Sequence, residues 1–235
     1  MQVIRAGLRE AQQLADAASS ALRVRGVETS LAFKTWFGTS NASPQFVTKL
    51  INQHYGTAYS HLVPPTIPVT LSFEERTKYV VGNGVPQPGL DSLIYLCPPK
   101  SGFMSDLCDA EDVARVITVN VKGRRVGPTM LTLCPTFFDN RGFTNAKMVQ
   151  SYQRDIYKEL YSNGFYLLHE LQHMPKATYP DPRAIDVVGP QGGTCYSIRC
   201  CALLEHDQKI RNAQNYAFFA LDAAAYPDAV KPASS

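Results

Sequence analysis

The sequence has no long apolar run, few charged residues and no low-complexity tract. No stretch approaches the ~18 consecutive apolar residues of a membrane-spanning helix, so we expect no such segment. Only 18% of the 235 residues are charged and 45% are hydrophobic, which predicts a folded chain with a sizeable core. Residues 1–22 lack the apolar centre of a signal peptide. We therefore expect either an intracellular protein or a mature or incomplete form of a secreted one.

A strong charge of either sign is also missing. The 23 basic and 20 acidic residues give a formal net charge of +3 and are scattered along the chain. The densest basic run, Lys122-Gly123-Arg124-Arg125, is typical of a solvated turn. We therefore expect no nucleic-acid partner.

Cysteines are few, but their number is even. None of the six lies in a Cys-x-x-Cys pair, so a cysteine zinc site is poorly supported. Six cysteines permit three disulfides in an oxidising compartment, and the alternative is six buried thiols in a cytosolic protein. The glycosylation pattern Asn41-Ala42-Ser43 occurs as well, although Pro44 follows it. The balance favours a secreted protein with disulfides among Cys97, Cys108, Cys134, Cys195, Cys200 and Cys201.

Helical patterns mark both ends of the chain, and extended patterns mark the middle. Apolar residues recur at helical spacing over residues 5–22, and Ser43 with Pro44 predicts the start of a second helix. Two further helical regions are expected at about 165–174 and 200–226. Runs rich in β-forming residues predict a small, mostly antiparallel sheet from residues 69–73, 78–81, 92–96, 115–119 and 130–134. Without a repeat or a sharp shift in composition, we expect one mostly helical α+β domain over residues 1–235.

One motif has the spacing of a catalytic metal site: His169-Glu170-Leu171-Gln172-His173. Residues four apart lie on one face of a helix, so His169 and His173 can both bind one Zn²⁺. Glu170 is the candidate general base, since it can accept a proton from a water that the metal activates. The apolar residues 165–168 before the motif favour a buried active-site helix over a surface helix with two solvated histidines. The motif therefore predicts metal-assisted hydrolysis of peptide bonds.

A catalytic zinc requires a third protein ligand. Asp186 lies between the apolar residues Ile185 and Val187, an unusual setting for a solvated carboxylate, and we therefore prefer it. Asp181 is flanked by two prolines and is more typical of a surface turn. The full set of candidates after the helix is Asp181, Asp186, Glu205, His206, Asp207 and Asp222.

Several stretches resemble the aspzincin metallopeptidases, the fungal deuterolysin and peptidyl-Lys metalloendopeptidase group. That family joins His-Glu-x-x-His to an Asp ligand in a Gly-Thr-x-Asp-x-x-Tyr-Gly loop, followed by a helix Asn-Ala-Asp-x-Tyr-x-x-Phe-Ala. Residues 212–220, Asn-Ala-Gln-Asn-Tyr-Ala-Phe-Phe-Ala, match this helix in register. Residues 35–38 (Thr-Trp-Phe-Gly) and 133–138 (Leu-Cys-Pro-Thr-Phe-Phe) are similar to other stretches of the group. The resemblance covers about residues 30–226.

The resemblance implies a secreted, disulfide-bonded, zincin-like catalytic domain that binds one Zn²⁺ and cleaves proteins or peptides. It makes His169, His173 and Asp186 the zinc ligands. Glu170 becomes the general base, and Tyr196 becomes the donor that stabilises the oxyanion of the transition state. We expect the protein to be a monomer.

Two departures from the family pattern bear on activity. Gly193-Thr194 is followed by Cys195-Tyr196, so the compact aspartate loop is not preserved and Asp186 lies upstream of it. Gln214 stands where the family has Asp. These departures leave an alternative open, a catalytically weak or inactive zinc-binding surface protein or antigen with the same fold.

Overall fold

The computed structural model describes most of the chain. The described residues are 2–64, 93–98, 100, 107–109, 112–121, 124–140, 142–180, 182–228 and 230–231. The predicted strands at 69–73 and 78–81, and the candidate ligand Asp181, lie outside these residues.

Helices dominate the described structure and are numbered here in chain order. The α-helices are α1 (Gln2–Leu22), α2 (Leu31–Phe37), α3 (Pro44–Lys49), α4 (Ala58–His61), α5 (Pro135–Asp139), α6 (Asn145–Arg154), α7 (Asn163–Gln172), α8 (Pro175–Thr178), α9 (Ile198–Leu203), α10 (His206–Lys209) and α11 (Ala213–Ala225). A π-helix, Leu50–Tyr55, continues α3, and 3₁₀ turns lie at Val27–Thr29 and Thr39–Asn41. None of the described helices is both long and apolar enough to cross a membrane.

Helix starts follow the predicted cap signals. The Ser43 hydroxyl accepts a hydrogen bond from the Phe46 amide at the start of α3, and Pro44 occupies the first helical position. α1 buries one apolar face, from Ile4 to Leu22, as the periodicity predicts. These two predictions are confirmed.

The core forms where α1, α7 and α11 pack together. A glycine permits the closest approach, because a Cβ atom at Gly164 of α7 would lie 2.5 Å from the Cβ of Glu10 in α1. α11 is buried along nearly its whole length and packs aromatic residues against α2, with Trp36 stacked on Phe218. α7 is therefore held centrally, between α1 on one side and α11 on another.

A three-stranded sheet with the order β1-β3-β2 packs beside α7. Its strands are β1 (Leu93–Leu96), β2 (Ala114–Val121) and β3 (Arg124–Leu133). β2 and β3 are antiparallel, whereas β1 is parallel to β3. The expected mostly helical fold with a small sheet is confirmed, but the sheet is mixed rather than antiparallel. Direction of pairing depends on how the chain connects the strands, and the strand patterns alone do not encode it.

Four of the six cysteines form two disulfides. These are Cys108–Cys134 and Cys195–Cys200, whereas Cys201 is a buried thiol. The Cys201 thiol donates to the Cys195 carbonyl oxygen, 3.1 Å away. The described pairing thus gives two disulfides where six cysteines permitted three.

Candidate metal centre

α7 presents the histidine motif from inside the core. Ser162 caps its start by accepting a hydrogen bond from the Phe165 amide, and every residue of the helix except Tyr166 is buried. The helix begins two residues before the predicted start and ends at Gln172, so that His173 is its C-cap. His169, Glu170 and His173 occupy the last turn, where the apolar lead-in gives way to a cavity.

Three polar atoms converge at the end of α7. The Nε2 atoms of His169 and His173 lie 3.1 Å apart. Oδ1 of Asp186 lies 3.2 Å from Nε2 of His169 and 3.3 Å from Nε2 of His173. Two ligands at about 2.0–2.2 Å from one tetrahedral ion lie roughly 3.3–3.6 Å apart, so the triangle has nearly the size of a metal-ligand set. The structure thus brings together the two histidines and the preferred aspartate.

A backbone hydrogen bond fixes the orientation of the His173 ring. Nδ1 of His173 lies 2.9 Å from the carbonyl oxygen of Ala184, an acceptor, and must therefore carry the proton. Nε2 then has its lone pair directed at the Nε2 of His169 and at Asp186. Ala184 is itself held, because its amide donates to the carbonyl oxygen of Gln172 at 3.0 Å. Such a contact to the second ring nitrogen is typical of metal-binding histidines.

The loop that contains Asp186 is fastened to the start of α11. The Ile185 amide donates to Arg211 O at 2.8 Å, and the Ala213 amide donates to Ile185 O at 3.0 Å. The Val187 amide donates to Oδ1 of Asn212, which is fully buried, at 3.1 Å. Asp186 is thereby fixed on both sides and aimed at the histidines.

The donor set fits a zinc ion. Oδ1 of Asp186, which faces the Nε2 atoms of both histidines, is buried and has no hydrogen-bond partner among the described residues. Burial alone would raise the pKa of Asp186, but its contacts with His169 and His173 outweigh this and hold the pKa far below its usual value. The carboxylate oxygen and the two imidazole nitrogens lie in contact with one another. One cation between them would be a partner for all three atoms.

Glu170 lies next to this triangle and is held by the sheet. Its Oε2 accepts a hydrogen bond from the Val116 amide of β2 at 2.7 Å, and its Oε1 is 3.9 Å from Nε2 of His169. Burial raises the pKa of the Glu170 carboxyl, and the charges of His169 and His173 partly offset this rise. Glu170 therefore has one fixed oxygen and one oxygen available towards the metal centre.

Tyr196 lies beside His169, within the loop closed by the Cys195–Cys200 disulfide. Its ring centroid is 5.9 Å from that of His169, and about half of the residue is exposed. Burial, together with the charge of Asp186 and a hydrogen bond to it, raises the pKa of the phenol well above its usual value. Tyr196 therefore remains a proton donor at all physiological pH values.

The side chain of Gln214 holds the backbone of Tyr196. The Gln214 side-chain amide donates to the Tyr196 carbonyl oxygen at 3.1 Å. A carboxylate could not make this contact, because it has no proton to donate when ionised. The substitution relative to the family pattern thus gives Gln214 a positioning contact of its own.

Glu170, His173, Asp186 and Tyr196 line a cavity of about 300 Å³. Its walls come from β2, the end of α7 and the Asp186 loop, and from Tyr196. The lining residues are Asp112, Ala114, Arg115, Val116, Glu170, His173, Arg183, Ala184, Ile185, Asp186 and Tyr196.

Four other candidate ligands have different roles. The imidazole of His206 is hydrogen-bonded to Ser40. Asp222 accepts hydrogen bonds from Trp36 and Tyr152 inside the helical core. Glu205 caps the start of α10, and Asp207 lies exposed in its first turn. Among the described candidates, Asp186 alone reaches the histidines.

Several supporting residues were not singled out from the sequence. The Val116 amide, the Ala184 carbonyl and the Asn212 side chain all orient proposed site residues. Two of these are backbone groups, for which a sequence gives no signal. Asn212 did have a signal in the sequence, because it is the first residue of the Asn-Ala-Gln-Asn-Tyr stretch.

Comparisons with protein-family models and with curated proteins give no match. A solved structure described as a zinc peptidase from Grifola frondosa is similar over 95% of each chain, with a TM-score of 0.50 and 16% sequence identity. Identity at this level shows a common fold and nothing finer. The chain therefore shares its fold with a zinc peptidase.

Proposed function

We propose that the protein is a zinc-dependent endopeptidase of the aspzincin type. The observation that supports this most is the contact triangle of His169, His173 and Asp186 beside the buried Glu170 carboxyl. The fold shared with a zinc peptidase adds to it. A hydrolytic zinc site has three nitrogen or oxygen ligands, an open position and a carboxylate next to them. A structural zinc site has four protein ligands and no open position.

His169, His173 and Asp186 would hold the ion through the three converging atoms. When bound, zinc acts as a Lewis acid that lowers the pKa of a water in its shell and polarises the scissile carbonyl. The ligands need no large rearrangement, because Ala184 and Asn212 already orient His173 and the Asp186 loop. This preorganisation supports tight binding.

Glu170 would transfer the proton. Its Oε1, which faces the centre, accepts a proton from the attacking water as the water oxygen bonds to the carbonyl carbon. The same oxygen then protonates the leaving amine as the carbon–nitrogen bond breaks. Because the Val116 amide holds Oε2, the carboxyl keeps its orientation throughout the exchange.

Tyr196 would stabilise the negative charge that develops on the substrate oxygen. Its raised pKa keeps the phenolic proton available for donation. Gln214 and the Cys195–Cys200 disulfide hold the backbone on either side of this ring. The departure at position 214 is therefore compatible with catalysis.

Protein or peptide substrates would lie across the cavity, along β2. β2 is one of the two outer strands of the described sheet, and the hydrogen bond from its Val116 amide to Glu170 places this strand at the edge of the site. An extended peptide can bind to such an edge through main-chain hydrogen bonds. We also propose a secreted, monomeric protein with one domain over residues 1–235, and the two disulfides support secretion.

Metal removal tests the proposed function. The purified protein loaded with zinc should contain about one zinc per chain and cleave unfolded casein. A strong chelator should abolish cleavage, and added zinc should restore it, because the metal supplies the activation of water. Casein fragments are followed by gel electrophoresis and mass spectrometry, with a serine-protease inhibitor as the control treatment. Cleavage that survives chelation, or no cleavage with zinc supplied, would contradict the proposal.

A further inference from the structure

We propose that Arg183 makes this site prefer peptides with an acidic side chain close to the scissile bond. This inference rests on the proposed peptidase function and specifies its substrate class. Arg183 lines the same cavity as Glu170, His173 and Asp186, and its side chain is exposed. A cationic group thus stands at the wall of the cavity that a substrate would enter.

The backbone next to Arg183 is fixed to the metal centre. Ala184, the following residue, donates its amide proton to Gln172 O and accepts the Nδ1 proton of His173 through its carbonyl oxygen. Arg183 is thus the neighbour, along the chain, of the residue whose carbonyl oxygen orients the His173 ring. The backbone from which the Arg183 side chain extends is therefore fixed beside the proposed site.

The other charged groups of the cavity are already engaged. Arg115 forms ion pairs with Asp112 at 2.7 Å and with Asp109 at 3.0 Å. Glu170 and Asp186 face the two histidines. Their negative charges would be offset by a bound divalent ion, so they do not favour a basic substrate.

Arg183 is different, because no carboxylate in the described ranges forms an ion pair with it. A guanidinium presents paired N–H donors that match both oxygens of a carboxylate. An Asp or Glu side chain of the substrate supplies this partner. A basic side chain at the same place is repelled.

Peptides that differ at one position test the inference. A fluorogenic peptide is prepared with Glu, Gln or Lys at each residue flanking the cleaved bond, and kcat/KM is measured for zinc-loaded wild type, Arg183→Glu and Arg183→Gln. At one flanking position, wild type should cleave the Glu peptide about threefold to tenfold faster than the Gln peptide, since the pair is partly exposed to solvent. The Lys peptide should be the slowest.

The two variants should change this order of cleavage rates to different extents. Arg183→Gln should abolish the preference, and Arg183→Glu should reverse it in favour of Lys. Arg9→Glu, which makes the same charge change on the exposed side of α1, should behave as wild type. Zinc content and the circular dichroism spectrum identify any variant that has lost its fold.

The outcomes separate the two proposals. Equal cleavage of the Glu, Gln and Lys peptides at every position by wild type overturns the inference, and so does an acidic preference that persists in Arg183→Gln. Both results leave the peptidase function standing. No cleavage of any peptide by the zinc-loaded wild type instead contradicts the peptidase function, and the inference falls with it.

Discussion

Replacing Glu170 with Gln should lower kcat for casein cleavage by about 10²–10⁴-fold and leave zinc bound at about one per chain. The amide oxygen can still accept the hydrogen bond from the Val116 amide, so the side chain keeps its place. What it loses is the ability to take the proton of the attacking water. Initial rates and metal analysis of the same purified samples measure both effects.

A matched variant controls for the change from carboxylate to amide. Glu28→Gln makes the same substitution in the 3₁₀ turn Val27–Thr29, and we expect wild-type activity from it. Glu170→Gln with the activity of wild type would contradict the assignment of the general base. If wild type and both variants bind zinc but none cleaves, the alternative of a non-catalytic zinc-binding protein is the better account.

Replacing Asp186 with Ala should lower the affinity for zinc by more than about 100-fold and abolish cleavage. Loss of a supporting residue around a metal already costs about 10–100-fold in affinity, and loss of a direct ligand costs more. Of the three proposed ligands, only the two imidazoles on one helix turn then remain. Competition with a chromophoric chelator measures the affinity, and the rise in Tm on adding zinc should disappear in this variant.

Asp207→Ala provides the comparison, since Asp207 was another candidate ligand and is exposed on α10. It removes the same charge, and we expect zinc affinity and Tm to match wild type. Should Asp186→Ala bind zinc as tightly as Asp207→Ala does, the ligand set proposed here would be wrong.

Local chemistry allowed the helical part of the centre to be predicted. The spacing of His169 and His173 determines that both rings lie on one face of a helix, and this follows from helix geometry alone. The apolar neighbours Ile185 and Val187 distinguished Asp186 from the other acidic candidates. The structure places the Asp186 carboxylate against both rings, 13 residues beyond His173 along the chain.

Contacts between separate segments of the chain could not be predicted from the sequence. The parallel pairing of β1 with β3 depends on chain connections, and the hydrogen bond from Val116 to Glu170 joins residues 54 apart. Cys200 and Cys201 are adjacent, so composition and spacing could not decide which of them pairs with Cys195. These contacts depend on how the whole fold packs, which no local pattern encodes.

The same limit applies to Gln214. From the sequence, its amide predicted the loss of a charge relative to the family pattern and a side chain that can still accept one hydrogen bond. In the fold, the side chain donates to the carbonyl oxygen of Tyr196. Its effect therefore depends on which backbone group lies opposite, and the sequence does not give this.

Anomalous X-ray scattering at the zinc edge, from crystals of the zinc-loaded protein, tests the metal centre most directly. We expect one strong peak per chain, at about 2.0–2.2 Å from Nε2 of His169, Nε2 of His173 and Oδ1 of Asp186. No peak at this position, or a peak bound instead by Cys201 or His206, would contradict it.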